Sequence, residues 1–325
     1  MNIIFDGNYL FHKTFSVFSS YHKNKDMCEI LQDKEQRQVM IRKCIIDMCY
    51  ALARFKKITK VVFVIDSHSW RYNLHDDYKY ALTKVRDPYY KHFMTLLDEF
   101  ESLLRKRGLI VSRVKGAEGD DLLYLWGNVY YGFIMDEEVT IITGDSDIRM
   151  LINKNVSIFN NKSTDLTFHC IPEKEVYWNE YFDTDIRVIP TDAFDTLLYK
   201  VIMGDTSDNI KKLKSGFGKV AFQKFLDHIK PIVVPNTMEL VPLAQWITSK
   251  FCEFTKMDEH VVLGQVLFNL KMTWLNLSVY NNTDYRSENG NNLLENMLED
   301  INLRKNDYSY NKDYTLESFY GMVIK

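Results

Sequence analysis

Nine carboxylates stand in short motifs where a fold could gather them. They are Asp6 in FDGN, Asp66 in VIDS, Glu118, Asp120 and Asp121 in GAEGDD, Asp145 and Asp147 in TGDSD, and Asp205 and Asp208 in MGDTSDN. If they converge, like charges crowd together at a cost that protonation or cations must relieve, and hard divalent ions with oxygen ligands are the usual relief. No His or Cys lies within these motifs, which favours magnesium or manganese over zinc. Taken singly, each acid is explained as well by a cap or a turn: Asp120 and Asp121 suit a first helical turn, and Asp208 with Asn209 suits a turn.

Basic residues gather as well, at Lys79, Lys84, Arg86 and Lys91, at Arg105 to Arg107, and at Lys211, Lys212, Lys214 and Lys219. The chain has 41 basic and 44 acidic residues, a net charge of −3, and setting the nine acids aside turns this to +6. That balance suits an acidic metal pocket within a basic surface that takes a phosphate backbone. For any single run, a solvated helix face is the simpler explanation.

What must position the acids is a sheet. Short β-branched runs stand at residues 2–5, 60–65, 109–114, 139–143 and 156–159, separated by apolar residues at helical spacing. Examples are Val39, Ile41, Ile45, Met48, Leu52 and Phe55, then Leu122, Leu123, Leu125, Trp126 and Val129. The alternation predicts an α/β fold, a largely parallel twisted sheet with helices on both faces. In such a sheet Asp6, Asp66, Asp145 and Asp147 follow strands and share the carboxyl edge, where ligands bind. After about residue 190 helix signals dominate, with Thr191-Asp192 as an N-cap leading into residues 193–203. Residues 281–288 read as a surface loop and 306–325 as a tail.

The 325 residues are 46% hydrophobic and 26% charged, which excludes a disordered chain, and 13 Gly with 6 Pro exclude a collagenous or linker-dominated one. Five cysteines without a CxxC pair predict reduced thiols rather than a disulfide framework. No apolar stretch has bilayer-spanning length and no leader precedes Ile3, so a cytoplasmic protein is expected.

Over roughly residues 1–225 the order and spacing of these motifs resemble the 5′ nucleases. That family includes flap endonucleases, the 5′ nuclease domain of bacterial DNA polymerase I and phage RNase H-type exonucleases. The resemblance implies a PIN-like core holding two Mg²⁺ ions, with Mn²⁺ able to substitute. Asp6, Asp66, Glu118, Asp120 and Asp121 would surround the first ion, and Asp145, Asp147, Asp205 and Asp208 would serve the second, several through water. It implies in-line hydrolysis by an activated water, with a 3′ oxygen leaving and a 5′ phosphate on the product.

The family places an arch after the second strand, here about residues 70–115. Lys79 would reach the scissile phosphate, and Arg71 would support the attacked strand. Leu82 stands where the family often has an arginine, and Lys84 and Arg86 follow closely. Tyr9, Phe11, Tyr78, Tyr80, Tyr89 and Tyr90 could stack on unpaired bases, Tyr78 foremost.

Residues 214–221 spell GxGxxA but follow no strand, so the dinucleotide interpretation yields to the family's helix-three-turn-helix, about residues 195–230. Lys214, Gly216, Gly218 and Lys219 would contact duplex phosphates there, and family members hold a K⁺ ion in that loop. The expected division is a nuclease core over 1–190 and a helical DNA-binding part over 191–325, in a monomer. Implied partners are 5′-ended or branched duplex DNA and RNA-DNA hybrid, with RNA primer removal as the use. Residues 316–320 resemble a sliding-clamp docking plug, with Asp313 where its glutamine would stand, and a single-strand-binding protein is a further implied partner. A silent PIN-fold binding module and a PIN-type ribonuclease of RNA metabolism are the alternatives.

Overall fold

The computed structural model describes residues 1–23, 25–79, 88–162, 165–174, 186–229, 239–283, 285–286 and 290–305. The expected positions Tyr80, Leu82, Lys84 and Arg86, and the tail with Asp313 and residues 316–320, lie outside the described residues. Two compact units divide the chain: Met1–Ser69, Arg86–Thr191 and Glu295–Lys325 form the first, and Trp70–Val85 with Asp192–Leu294 the second.

The first unit is built on a seven-stranded sheet. Its strands are β1 (Asn2–Asp6), β2 (Lys60–Val64), β3 (Ile110–Ser112), β4 (Val139–Ile142), β5 (Val156–Lys162), β6 (Asp165–Cys170) and β7 (Arg187–Pro190), in the order β3-β2-β1-β4-β5-β6-β7. The first five run parallel, with Ile4 opposite Val62 on one side and Ile141 on the other. The five apolar runs seen in the sequence are these five strands. β6 turns back antiparallel to β5, and β7 pairs parallel with β6, so the sheet is longer than the sequence indicated.

Every residue of β1 is buried because helices cover both faces. On one face Ile3, Phe5, Val61, Phe63 and Val111 pack against α1 (Gly7–Ser20), α3 (Lys34–Leu52) and α4 (Tyr90–Lys106), with α2 (Met27–Gln32) beside them. The Phe5 and Phe63 rings stack at 4.8 Å across β1 and β2, and cutting either to Ala would cost about 3–5 kcal/mol. Phe11 is fully buried in this layer, which corrects its expected availability to bases.

On the other face α5 (Gly119–Tyr124) runs on into a π-helical stretch, Leu125–Ile134, closed by Met135 N–H donating to the Tyr130 carbonyl at 2.9 Å. There Gly127 brings the backbone so close that an added Cβ would lie 3.3 Å from Ile141. A last helix, Leu293–Arg304, sends Asp300 to accept the Ser112 hydroxyl at 2.5 Å.

The second unit is helical. Asp192 caps α6 (Ala193–Met203) by accepting the Phe194 amide at 2.8 Å, and α7 (Lys219–Ile229), α8 (Leu240–Thr255), α9 (Glu259–Thr273) and the short α10 (Leu277–Tyr280) follow. Phe217 anchors the loop before α7 by packing edge-on to Phe251 at 5.2 Å. Asn269 on α9 donates to the Val201 carbonyl at 2.7 Å and to that of Lys211 at 2.9 Å, binding α9 to both flanks of the 204–210 turn. Among the described residues no helix is long and apolar enough to cross a membrane. All five cysteines are free thiols.

Candidate active site

The carboxyl edge of the first unit collects acids as strand direction requires. Asp6 ends β1, Asp66 lies two residues past β2, Glu118 and Asp120 open α5, and Asp145 follows β4. Close packing of the motif glycines makes this possible. A Cβ on Gly7 would sit 2.5 Å from the Val64 carbonyl oxygen, one on Gly119 would sit 2.7 Å from Asp66 Oδ1, and one on Gly144 would sit 2.2 Å from the Tyr9 ring. At Gly7 a side chain would meet backbone, and at Gly119 and Gly144 it would have to push Asp66 or Tyr9 aside, so glycine lets α1, α5 and the loop after β4 approach this closely.

Asp6, Asp66, Asp121 and Asp145 are held by protein donors. Asp6 Oδ1 caps α1 by accepting the Tyr9 amide at 2.9 Å, and its Oδ2 accepts the Thr143 hydroxyl at 2.7 Å. Thr143 also accepts the Asp145 amide at 3.0 Å, and Asp145 Oδ1 accepts the Asp147 amide at 2.8 Å. Asp66 Oδ1 takes the Gly119 amide at 2.5 Å and Oδ2 the Asn8 side-chain amide at 2.8 Å, while Asn8 Oδ1 accepts the Asp66 N–H at 3.0 Å. Asp121 is fully buried and accepts the Glu118 N–H at 2.9 Å, closing a capping box. Asn8, Tyr9 and Thr143 were not singled out as positioning groups in the sequence. Asn8 and Thr143 lie inside the quoted motifs, and that adjacency was the available signal.

The electrostatics show that the acids meet. Burial pushes Asp6 up to about 7, aided by Asp66 and Asp145 and opposed by the Tyr9 amide and Thr143 hydroxyl. Asp120 is raised well above the carboxylate range, by burial first and then by Asp145, Asp6, Glu118 and Asp66. Among the described residues no hydrogen-bond donor reaches the Asp120 carboxylate, so four like charges surround a group with nothing to offset them. Burial and Asp6 push the Tyr9 phenol up to about 12.

Oxygen-only donors and an uncompensated central carboxylate fit hard divalent cations in chemistry. They are not drawn into a ready cage: among the described residues no three His, Cys, Asp or Glu side chains already have ligating geometry. The oxygens of Asp6, Asp66 and Asp145 take the caps and amides named above instead.

The remaining expected residues lie on the second unit. Arg71 is 2% exposed, its Nε donates to the Met272 carbonyl at 2.8 Å, and its guanidinium lies 4.8 Å from the centre of the Trp70 ring. This corrects the expectation of a strand-facing charge: buried among apolar groups, Arg71 ties the 3₁₀ turn Trp70–Asn73 to α9. Tyr78 is likewise 2% exposed, packed with Ile210 and Met272 and edge-on to Tyr72, so its ring is a core element rather than a platform for bases. Lys79 has φ 51 and extends over the Tyr78 ring, 5.1 Å from its centre.

Asp205 pairs with Lys200 and accepts the Ser207 amide at 2.8 Å. Burial raises its pKa, but Lys200 and Ser207 outweigh that and hold it below the usual range. The turn that carries it closes through Asp205 N–H to the Ile210 carbonyl at 2.9 Å, and a Cβ on Gly204 would lie 2.4 Å from that oxygen. Asp208 is half-buried in the same turn. Lys214 donates to the Thr255 carbonyl at 3.3 Å, while Gly216, Gly218 and Lys219 are exposed, Gly216 with φ 75.

The profile of the 5′-3′ exonuclease N-terminal resolvase-like domain matches residues 1–179. A 5′-3′ exonuclease of Mycoplasmopsis pulmonis is 22% identical over 239 residues, 71% of this chain and 67% of that protein. A 5′-3′ exonuclease of Bacillus subtilis is 25% identical over 182 residues, 55% of each chain, so the aligned region is about half of that relative. Among solved structures, a zinc-bound T5 5′-exonuclease covers 100% of this chain and 98% of its own at 17% identity, with a TM-score of 0.51. A complex of the bacteriophage T5 D15 flap endonuclease with DNA and metal ions covers 99% and 97% at 17% identity, with a TM-score of 0.50. At these identities the two structures establish a shared fold.

Proposed function

The chain belongs to the 5′-3′ exonuclease family, as the match over residues 1–179 shows, and from that premise we propose a Mg²⁺-dependent, structure-specific 5′ nuclease that cuts by two-metal-ion hydrolysis. In coarser terms it is a 5′ nuclease, a hydrolase acting on DNA. One observation carries the metal assignment: among the described residues, Asp120 sits without a hydrogen-bond donor, amid Asp6, Asp66, Glu118 and Asp145. The metal ions in the T5 structures support the same chemistry.

When bound, the cations supply Lewis acidity that polarises a phosphate ester and eases deprotonation of an attacking water. The chain's own residues prepare that chemistry. Asp6, Asp66, Glu118, Asp120 and Asp145 hold the cations. Thr143, Asn8 and the Gly119 amide fix the carboxylate orientations. Because every donor is a carboxyl group and none is cationic, the cluster offers a bare phosphate no positive charge and accepts it only with its cations, which couples substrate entry to metal loading. On the second unit, Lys79, Lys219 and the loop carrying Gly216 and Gly218 are proposed to take phosphate oxygens of the DNA, and backbone contacts there make binding indifferent to sequence. Removal of RNA primers during replication is the proposed use.

Labelled 5′-flap, blunt-duplex and RNA-DNA hybrid substrates, incubated with Mg²⁺ or with chelator, test this. Mg²⁺-dependent release of 5′-end products carrying a 5′ phosphate is expected. Cutting of single-stranded RNA alone, or binding without cutting, would overturn it.

A further inference from the structure

Past β2 the chain leaves the ladder with its polar groups tied one by one. Ile65 N–H donates to the Ser112 carbonyl at 2.9 Å, Asp66 N–H to Asn8 Oδ1 at 3.0 Å, and Ser67 N–H to the Ala117 carbonyl at 3.0 Å. The Asp66 carbonyl accepts Arg113 Nε at 3.1 Å. The same guanidinium turns its Nη1 to Asp98 at 2.7 Å and to Glu101 at 2.8 Å, both on α4. One planar group thus joins the backbone of a cluster carboxylate to the helix beside it. None of the acidic motifs includes Arg113.

We infer that Arg113 is a positioning residue for the nuclease reaction, setting the main chain from which the Asp66 carboxylate reaches the metal cluster. The inference rests on the metal-site proposal above. Arginine is required because its Nε and Nη donors diverge in one plane, so it can serve a carbonyl and two carboxylates at once, whereas a lysine offers a single point of charge. Global stability is a poor explanation for the arrangement. Asp98 is 59% exposed, and pairs of that kind contribute little, while the better buried Glu101 is also held by Arg105. Asn8 and the Gly119 amide hold the Asp66 carboxylate while Arg113 holds the carbonyl behind it, so removing Arg113 frees the main chain that carries the carboxylate. Groups that orient a metal's ligands typically change its affinity about 10–100-fold.

Arg105 provides an internal control. It pairs with the same Glu101 at 2.8 Å, and its Nε donates to Glu101 as well, not to Asp66. Titration calorimetry with Mn²⁺ alone, on the full chain, compares the parent with Arg113→Gln, Arg113→Lys, Arg105→Gln and Asp66→Asn, each with its thermal midpoint. Arg113→Gln should bind Mn²⁺ about tenfold more weakly, Arg113→Lys should recover part of the loss, and Arg105→Gln should bind as the parent despite a comparable change in midpoint. Parental affinity in Arg113→Gln, or an equal loss in Arg105→Gln, would overturn the role given to Arg113. If Asp66→Asn is weakened while Arg113→Gln is not, the metal site stands and only Arg113 falls. If Asp66→Asn also binds as the parent, both fall.

Discussion

The Thr143 hydroxyl donates to Asp6 Oδ2 at 2.7 Å, so the residue that follows β4 holds the carboxylate that ends β1. Thr143→Val keeps the shape and removes the donor. It should raise Asp6 further and weaken the metal cluster about tenfold, seen as a shift of the cleavage rate to higher Mg²⁺ with an unchanged circular dichroism spectrum. Unaltered Mg²⁺ dependence would show that the hydroxyl does not tune Asp6.

Asp6 also predicts a pH dependence with an unusual sign. Its folded pKa is about 7 against an ordinary 3.8, so between these values the folded, metal-free chain binds a proton that the unfolded chain has released. Stability from this group is therefore fully present below about pH 4 and falls as pH rises toward 7, then levels off. Thermal melts in chelator from pH 5 to 8 should show Asp6→Asn gaining on the parent as pH rises. A variant that loses ground to the parent as pH rises would contradict the raised pKa of the buried Asp6.

Gly144 and Tyr9 test the packing beneath the site. A methyl at Gly144 would fall 2.2 Å from the Tyr9 ring, so Gly144→Ala must displace the ring or the loop bearing Asp145. A loss of about 1–3 kcal/mol in denaturant unfolding is expected, with most of it restored by adding Tyr9→Ala. Failure of the second change to restore stability would place the strain elsewhere.

Much of this was legible in the sequence because the first five strands are continuous apolar runs and the acids follow them directly. β6 and β7 escaped notice for physical reasons. DLTFHC mixes polar and apolar residues because β6 joins antiparallel, and RVIP is short, partly exposed and ends in proline. Leu125, Trp126 and Val129 show helical spacing, but such spacing over a short run does not separate a π-helix from an α-helix. Charge and aromaticity misled at Arg71 and Tyr78. In a linear sequence a buried arginine with a carbonyl partner looks the same as one facing a phosphate.

Arg71 therefore carries a stability prediction. Arg71→Ala removes the donor to the Met272 carbonyl and leaves a cavity beside Trp70, which should cost about 2–4 kcal/mol in unfolding free energy. DNA affinity, measured by fluorescence anisotropy where the variant remains folded, should stay near that of the parent. A large loss of affinity without a loss of stability would restore the phosphate-facing role.

The carboxylates crowded around Asp120 are proposed to hold the cations with which a 5′ end is cut. Asp120→Asn keeps the size of the side chain and removes its charge. The measurement is the rate at which parent and variant release 5′-labelled product from a flap substrate in Mg²⁺. The account predicts at least a roughly hundredfold loss, of the order that electrostatic groups of an active site contribute, with the variant still folded. Parental rates from Asp120→Asn would contradict it.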